Sequence, residues 1–459
     1  MTKRTIIWLR NDLRLSDNKS LDYAYKNKHE ILFLYIYDKS IPIGAASKWF
    51  LHHCLDSIRF DIKRKYNADL LIKSGNIQEI LESISLKYNM NCVVWNKVYE
   101  PEAIASDLKI TQKLRENDIE TKSFNSSLLF EPTEIKNLSG SYFKVFTPFW
   151  QKCLTKISNI SPPCEIPETL QVISLDKKEM SDLESLKLLP KNPDWAKSWQ
   201  DLYKISEENA HKIAEEFMEN KMLNYKTGRD FPATNNTSSL SPYLHFGLIS
   251  PKQIYIKSLP FYNNAGLGSF LSEIGWREFA YYLLYHFPEL PNKNFKPKFD
   301  SFVWDNNKEN LKKWQKGQTG FPLIDAGMRQ LYQTGWMHNR VRMVVASFLI
   351  KNLLIDWRIG QEWFWDCLVD ADLAANCASW QWVAGSGADA APYFRIFNPL
   401  TQSEKFDPKG EYIRKWVPEI AHLSAKEIHC PIKRDKYPAA MIDLKLSRQR
   451  ALENYKKLP

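Results

Sequence analysis

The apolar run TIIWL occupies residues 5–9, and RNDLR follows it directly at residues 10–14. A short apolar run rich in β-branched residues predicts a buried strand of a parallel sheet. The segment after it contains no glycine, so the glycine fingerprint of dinucleotide-binding Rossmann domains is absent, and no Walker phosphate loop occurs elsewhere. The run therefore predicts a Rossmann-like sheet without an ordinary NAD or ATP site.

Similar runs recur over the next hundred residues and alternate with helical patterns. The β-rich runs lie at 31–37, 70–73, 92–95 and 120–124, and the helical patterns at 46–66, 77–88 and 103–116. This alternation predicts a doubly wound parallel sheet. We therefore expect an α/β N-terminal domain, a Rossmann-like parallel sheet, over residues 1–130.

The remaining chain divides at about residue 198. Seven prolines between residues 131 and 198 break any long helix and predict a long irregular linker. Beyond it the patterns are helical, for example at 202–223, 267–286, 323–334 and 341–354. We expect an all-α C-terminal domain over residues 199–459.

Composition limits the function. The 459 residues include 63 Lys and Arg against 53 Asp and Glu, a net charge of +10 that favours a polyanionic partner such as nucleic acid. No apolar stretch is long enough to span a bilayer and no cleavable signal is recognisable, which predicts a cytoplasmic protein. Seven cysteines without a C-x-x-C pair argue against a disulfide scaffold or a metal site. Ten of the 16 tryptophans lie from Trp276 onward, which indicates a use for indole rings there.

A hydroxyl-rich segment, TSSLS at residues 237–241, precedes a helical pattern. Such a segment can direct hydroxyl and backbone N–H donors at phosphate, although capping of the helix by a serine is the simpler interpretation.

Two further segments place polar and aromatic residues on one helical face. Glu273, Trp276 and Arg277 stand at i, i+3 and i+4, which predicts either an intrahelical ion pair beside a core tryptophan or a site where acid, ring and guanidinium meet. Asn339 and Met343 share a face in GWMHNRVRM at 335–343, where core packing is the alternative.

The densest cluster is DADLAANCASWQW at residues 370–382. Asp372, Asn376 and Trp380 recur at i+4 spacing beside Trp382. A polar stripe on a helix is usually a solvated face. The adjacent indoles instead indicate a cavity for a flat molecule with polar edges, such as an isoalloxazine ring.

With these motifs the chain resembles the cryptochrome/photolyase family, and within it the class I enzymes that repair cyclobutane pyrimidine dimers. The resemblance covers nearly the whole chain and rests on WLRNDLRLSDN (8–18), TSSLSPYLHFG (237–247), EIGWREF (273–279) and the two segments at 335–343 and 370–382. It implies an N-terminal domain with an antenna chromophore and a helical domain that holds FAD beneath a basic DNA-binding cavity.

The resemblance also assigns residues to the flavin. It implies that FAD is held by Tyr225, Thr237, Ser238, Ser239, Leu240, Ser241, Phe270, Arg342, Asp370, Asp372 and Asn376. Among these, Asn376 is expected beside flavin N5, and Arg342 is expected to pair with Asp370. Photoreduction is expected to use Trp380, Trp357 and Trp304, in order from the flavin to the surface.

The substrate side is assigned in the same way. The resemblance implies a lesion pocket with Glu273, Trp276, Asn339, Arg340, Met343 and Trp382, and strand contacts from Arg229, Arg277, Arg340 and Arg395. The catalytic set is Glu273, Trp276, Asn339, Met343, Asn376 and Trp382. The expected partner is UV-damaged DNA, single- or double-stranded, bound by a monomer.

The antenna and the activity leave alternatives. Glu102 matches a folate contact, with Lys293 across the cleft, so methenyltetrahydrofolate is favoured over a deazaflavin or a second flavin. The rival functions are a cryptochrome photoreceptor, a (6-4) photolyase and a small-molecule flavin oxidoreductase. Plant-type receptors usually have Asp where this chain has Asn376, and (6-4) enzymes place histidines where it has Asn339 and Met343.

Overall fold

A parallel sheet forms the N-terminal part of the computed structural model, which describes residues 2–137, 139–176, 178, 182–390, 394–432 and 436–459. The strands are β1 (Arg4–Leu9), β2 (Glu30–Tyr37), β3 (Leu70–Ser74), β4 (Cys92–Asn96), β5 (Glu120–Phe124) and β6 (Gln171–Val172). The helices between them are α1 (Lys19–Lys26), α2 (Ala45–Tyr66), α3 (Ile77–Lys87), α4 (Pro101–Glu116) and α5 (Phe146–Leu154).

The strand order is β3-β2-β1-β4-β5, every pairing is parallel, and β6 pairs with β2 at Glu30 and Ile31. The order reverses beside β1, as in doubly wound sheets, so the expected fold class is confirmed. Both faces of β1 and β4 are covered, which explains their continuous apolar sequences. The sequence pattern missed α1, and the segment expected to be an irregular linker contains α5 and β6.

The second part of the chain is helical. Its helices are α6 (Trp199–Leu202), α7 (Glu207–Asn220), α8 (Tyr225–Gly228), α9 (Ser241–His245), α10 (Pro251–Ser258), α11 (Leu267–His286), α12 (Lys308–Gln315), α13 (Pro322–Thr334), α14 (Asn339–Ser347), α15 (Trp357–Cys367), α16 (Leu373–Ala384), α17 (Pro399–Phe406), α18 (Glu411–Trp416) and α19 (Leu444–Lys456). Among the described residues, none of the helices has the length and apolar character needed to cross a membrane.

Two expected helices are divided. The pattern at 202–223 breaks after Leu202, and α7 restarts where Ser206 caps it through the Asn209 amide. The pattern at 341–354 is α-helical only to Ser347 and continues as a π-helical turn to Asn352. Apolar periodicity persists through such breaks because the same face stays buried, so the pattern alone cannot locate them.

The loop after β1 joins the sheet to the helices. Leu13 N donates to Phe246 O at 3.2 Å, and the buried Arg14 guanidinium donates to Gly247 O at 2.8 Å. The Glu207 carboxylate accepts from the backbone N–H groups of Leu15 and Ser16. The glycine-free loop therefore serves interdomain packing.

Gly247→Ala should destabilise this junction. Gly247 has a φ of +68°, and a Cβ there would lie 2.1 Å from Asn11 O. Backbone strain and the clash together should lower the free energy of unfolding by ~2–4 kcal/mol. Thermal unfolding measures this loss, and Gly268→Ala is the matched control because a Cβ at Gly268 has no neighbour within 4 Å. An equal melting temperature for Gly247→Ala and wild type would contradict the prediction.

Candidate functional site

Two buried aspartates stand at the start of α16. Asp372 is the N-cap of this helix and accepts from Ala375 N at 2.8 Å, and the Tyr281 hydroxyl also donates to it. Asp370 accepts from Arg342 Nη2 at 2.9 Å and from Ser241 Oγ at 2.6 Å. The expected Arg342–Asp370 pair is thus formed, and Ser241 connects it to the hydroxyl-rich segment.

The surroundings of the buried Asp372 carboxyl favour its charged form. Burial acts to raise the pKa of its carboxyl, but the neighbouring His245 and Arg277 outweigh that effect and hold the pKa below its usual value. His245 Nδ1 lies 3.8 Å from Asp372 Oδ2, an ion-pair distance and too long for a hydrogen bond. The carboxylate can therefore accept hydrogen bonds from the N–H edge of a flat ligand near neutral pH.

Asn376 and Trp380 follow on the same stripe of α16. Asn376 Nδ2 donates to Gln361 O at 3.0 Å, and both Asn376 and Trp380 are buried, so the stripe is not a solvated face. Together with the buried carboxylates of Asp370 and Asp372, the amide of Asn376 supplies hydrogen-bond acceptors and donors that fit the polar edge of an isoalloxazine ring.

The hydroxyl-rich segment is a loop, not a helix cap. The N-cap of α9 is Leu240, which makes no side-chain cap bond, and Ser239 has a φ of +54°. In the described part of the chain the backbone N–H groups of residues 237–239 donate to no protein acceptor. They are available to an anion such as phosphate, whereas the simpler interpretation of the sequence, capping of the helix by a serine, is wrong.

Tyr225 and Phe270 close this side of the site. Both rings are buried, with centroids 5.7 Å apart, and both pack on Phe217. Burial raises the pKa of the Tyr225 hydroxyl, which therefore stays protonated.

The residues expected to form the lesion pocket are exposed or half-buried in the helical part. The Trp276 ring is 36 % exposed and stacks on Phe146 with a centroid separation of 3.9 Å and an interplanar angle of 10°. Trp382 is half-buried and donates through Nε1 to Asp389 O at 3.2 Å. Asn339 is exposed and Met343 is half-buried. The two indoles are held in place from behind and keep accessible surface for a ligand.

The charged residues pair differently from the sequence expectation. Glu273 does not pair with Arg277 along α11 but forms an ion pair with Arg229. The Arg340 guanidinium pairs with Asp230, with 2.6 Å between Nη2 and Oδ1. Arg395 is exposed, with its guanidinium over the Phe397 ring at 4.9 Å. Besides this exposed arginine, the side chains of Arg229 and Arg340 keep 23 % and 19 % of their surface accessible.

Arg277 faces the N-terminal part of the chain. Its Nη1 donates to Ser127 O at 2.7 Å, and its guanidinium lies 4.9 Å from the Tyr281 ring centroid. Only 14 % of the side chain is exposed. A strand contact by Arg277 would require this interdomain bond to break, so the structure does not group it with Arg229, Arg340 and Arg395.

The three expected electron-transfer tryptophans share one hydrophobic cluster of the helical part, with Trp380 and Trp357 inside it and Trp304 packed against it. Trp380 packs over α15, where a Cβ at Gly360 would lie 2.2 Å from its ring. Trp357, one helical turn before Gly360, is fully buried and donates to Asn294 Oδ1 at 3.0 Å. Trp304 is half-buried on the loop whose Asp305 N donates to Leu354 O at 2.7 Å. Trp380 and Trp357 are buried and Trp304 is half-buried, so Trp304 is the member of the three that an external electron donor can reach.

The expected antenna residues are not in contact. Glu102 is exposed in the first turn of α4, and the Lys293 ammonium pairs with Glu289. Nothing in the described geometry of these two side chains indicates a shared ligand.

Several residues of this site were not assigned from the sequence. Phe146 lies in a segment that the sequence pattern treats as linker, and His245 lies inside a motif but received no role. Tyr281 contacts Asp372, which was assigned to the flavin site, and Asp230 follows Arg229, which was assigned to the DNA contacts. Helical spacing could have indicated Tyr281, which is four residues after Arg277, but the other three depend on tertiary contacts.

The structure combines an N-terminal parallel sheet with a helical C-terminal part, in which buried polar residues at the start of α16 lie on the same helix as the half-buried Trp382. A family model described as DNA photolyase matches residues 5–168, and one described as FAD binding domain of DNA photolyase matches residues 270–457. The chain belongs to the photolyase/cryptochrome family.

Relatives cover the chain end to end. The deoxyribodipyrimidine photo-lyase of Agrobacterium fabrum is 44 % identical over 99 % of this chain and 98 % of that protein, and cryptochrome-2 of Arabidopsis thaliana is 35 % identical over 100 % of this chain and 76 % of that protein. A bacterial class III photolyase from Agrobacterium tumefaciens has a TM-score of 0.95 at 43 % identity, covering 99 % of this chain and 98 % of that one. An archaeal photolyase from Sulfolobus tokodaii with two FAD molecules has a TM-score of 0.84 at 28 % identity, covering 99 % and 100 %.

Proposed function

We propose that the protein is an FAD-dependent photolyase that repairs cyclobutane pyrimidine dimers in UV-damaged DNA, acting as a monomer. One observation carries the proposal. A buried polar edge formed by Asp370, Asp372 and Asn376 lies at the start of α16, and Trp382 lies near the end of that helix. Trp382 donates to Asp389 O, the Asp389 carboxylate accepts from Phe146 N, and the Phe146 ring stacks on Trp276, so the two indoles are connected through two residues. The proposed chromophore site and substrate pocket are thereby adjacent, as electron transfer over a short distance requires.

Three groups of residues would hold FAD. The backbone N–H groups of residues 237–239, which have no acceptor in the described part of the chain, would bind the diphosphate, and Asp372 with the Arg342–Asp370 pair would bind the ring edge. Tyr225 and Phe270 would pack on the remaining side. When bound and reduced, FAD supplies one electron on excitation and recovers it after the cyclobutane ring has split. Asn376, an amide, can hydrogen-bond near N5 but cannot exchange a proton there near neutral pH.

The pocket residues bind and orient the dimer. Photolyases belong to the enzymes that take their target base out of the helix, and a weakened base pair at the lesion lowers the cost of doing so. Trp276 and Trp382 supply apolar walls, Met343 adds a soft contact, and Glu273 with Asn339 hydrogen-bonds the pyrimidine edges. These groups exclude water from the dimer and fix its orientation.

Arg340→Ala should flatten the salt dependence of lesion binding. Arg229, Arg340 and Arg395 are proposed to bind phosphates of the damaged strand, and each such contact contributes about 0.9 to the slope of log K against log salt concentration. The slope of Arg340→Ala should therefore be smaller by about one, measured by fluorescence anisotropy at several salt concentrations. Arg59→Ala removes a charge paired with Asp56 on α2 and serves as control. An unchanged slope in Arg340→Ala would remove it from the phosphate contacts.

Two details of the proposed function are the subclass of photolyase and the identity of the antenna chromophore. The sequence motifs resemble those of class I enzymes, whereas the structure of the whole chain is similar to that of a bacterial photolyase described as class III. Methenyltetrahydrofolate remains the favoured antenna, with Glu102 and Lys293 as candidate contacts, and the archaeal relative with two FAD molecules supports a second flavin as the alternative. Absorption of the purified protein distinguishes a folate band from a second flavin and from flavin alone.

The same sample tests the function. FAD-loaded protein, reduced chemically, is illuminated with blue light in the presence of an oligonucleotide that contains a cyclobutane dimer, and restored thymines are counted. Repair supports the proposal, whereas a photoreceptor would bind FAD and respond to light without restoring thymines. Absence of a flavin spectrum would contradict the cofactor and the function together.

A further inference from the structure

Two ion pairs meet at the dipeptide Arg229–Asp230, directly after α8. Arg229 pairs with Glu273 on α11, and Asp230 pairs with Arg340 on α14. The dipeptide thus links a proposed lesion contact, Glu273, to a proposed phosphate contact, Arg340. Both arginines are engaged by carboxylates of this chain when DNA is absent.

Asp230 lies on the outer side of its pair. Its side chain is 36 % exposed, whereas that of Arg340 is 19 % exposed. One face of the Arg340 guanidinium is covered by the Phe406 ring at 4.3 Å, and its Nε is buried without a partner among the described residues. A phosphate that approaches Arg340 from solvent therefore meets the Asp230 carboxylate first, and like charges repel there.

We propose that Asp230 is a specificity-determining residue that withholds Arg340 from DNA phosphate until a lesion engages Glu273. The proposal rests on the proposed repair function. When Glu273 turns to a pyrimidine dimer, Arg229 loses its ion-pair partner. The carboxylate of Asp230, the next residue after Arg229, is then available to replace that partner. Asp230 then pairs with Arg229 and releases Arg340 to the phosphate of the damaged strand.

Undamaged DNA offers Glu273 no flipped-out dimer, so the original pairs persist. Arg340 then adds nothing to non-specific binding, which depends on phosphate contacts. Lesion recognition by Glu273 and phosphate binding by Arg340 are coupled because Asp230 changes its partner from Arg340 to Arg229. The ratio of affinities for damaged and undamaged DNA increases as a result.

The test measures that ratio in Asp230→Asn. Dissociation constants for an oligonucleotide duplex with one cyclobutane dimer and for the same duplex undamaged are measured by fluorescence anisotropy on FAD-loaded protein. Asp230→Asn should bind undamaged duplex roughly five- to tenfold more tightly. Binding of the damaged duplex should change by about twofold or less, because Asp230 has already left Arg340 in that complex.

Two other variants separate this effect from a change in net charge. Glu208→Gln removes a carboxylate from an exposed Glu208–Lys212 pair on α7 and should leave the ratio unchanged. Asp230→Glu keeps the charge and should retain the wild-type ratio. Glu273→Gln is a second route to the released state, because Arg229 then draws Asp230 away from Arg340, and it too should tighten binding of undamaged duplex.

The outcomes are distinct. An unchanged ratio in both Asp230→Asn and Glu273→Gln overturns the inference, and so does a loss of affinity for both duplexes in Asp230→Asn, which would show that Asp230 merely positions Arg340. If Asp230→Asn loads no FAD, Glu273→Gln decides alone. A wild-type protein that does not distinguish the two duplexes contradicts the proposed function itself.

Discussion

Trp380→Phe is expected to stop light-driven reduction of oxidised FAD while repair by chemically reduced protein continues. Trp380 is the member of the proposed series that lies on α16 with Asn376, and its ring packs on α15 one turn from Trp357. A phenylalanine ring is much harder to oxidise than an indole, so the substitution interrupts the series at its first step. The dimer receives its electron from reduced FAD directly and does not need the tryptophans.

The measurement compares two rates on one sample. Bleaching of the oxidised flavin band under blue light with an external reductant reports photoreduction, and restored thymines after dithionite reduction report repair. Photoreduction should fall to background, and repair should stay within about twofold of wild type. Trp199→Phe is the control for truncating a buried indole, since Trp199 is 2 % exposed and donates to Gln333 O.

Core packing alone predicts a different pattern for Trp380→Phe. If Trp380 only fills space, the variant should lose stability or bound FAD, by less than the ~3–5 kcal/mol typical of removing a whole aromatic side chain, and the remaining holoprotein should photoreduce normally. Normal bleaching in FAD-loaded Trp380→Phe would therefore contradict the electron-transfer role.

The sequence predicts the sheet because its central strands β1, β2 and β4 are covered on both faces. β1 and β4 are apolar throughout, and the alternation with helices leaves a doubly wound sheet as the natural arrangement. α1 was missed because it is only eight residues long and buries only Ser20, Leu21 and Ala24. A pattern that short carries little periodic signal.

The local arrangement of the candidate site follows from the sequence where residues are related by spacing along one helix, and could not be predicted where it depends on contacts between distant segments. Asp372, Asn376 and Trp380 are related by α16 itself, and the expected Arg342–Asp370 pair is present. The ion-pair partner of Glu273 could not be predicted from spacing along a helix. Spacing favours Arg277, but Arg277 is drawn to Ser127 O across the domain junction, and Arg229 takes its place. Contacts between segments distant in the sequence therefore determine which arginine pairs with Glu273.

A second large difference is expected between two classes of UV lesion. We expect FAD-loaded, reduced protein to reverse cyclobutane dimers and to leave (6-4) photoproducts unrepaired. In the family, the (6-4) enzymes place histidines where this chain has Asn339 and Met343, and neither an amide nor a thioether can donate a proton near neutral pH.

His338, the histidine next to these positions, cannot replace them. It is 2 % exposed, and burial, aided by the charge of Arg342, lowers its pKa to about 4. Its Nδ1 accepts from Arg340 N at 3.2 Å as the cap of α14, so the ring is neutral and fixed within the protein. The proton donor that (6-4) repair requires is therefore absent near neutral pH from these three positions. Illumination with each lesion separately, scored by restored thymines, checks the expectation.

Glu273→Ala should then lower the efficiency of dimer splitting more than it lowers dimer binding. Negative charge develops on the pyrimidine after electron transfer, and a hydrogen bond that the protonated Glu273 carboxyl donates to a pyrimidine carbonyl gains strength as it does so. A hydrogen bond to a charged group is worth ~1.5–3 kcal/mol, which corresponds to about tenfold or more in repair efficiency. Repair per photon absorbed and the dissociation constant are measured on the same FAD-loaded variant, with Asn339→Ala for comparison at a neutral hydrogen-bonding position. Equal losses in binding and in splitting would show that Glu273 only holds the substrate, and robust reversal of (6-4) products would overturn the lesion assignment.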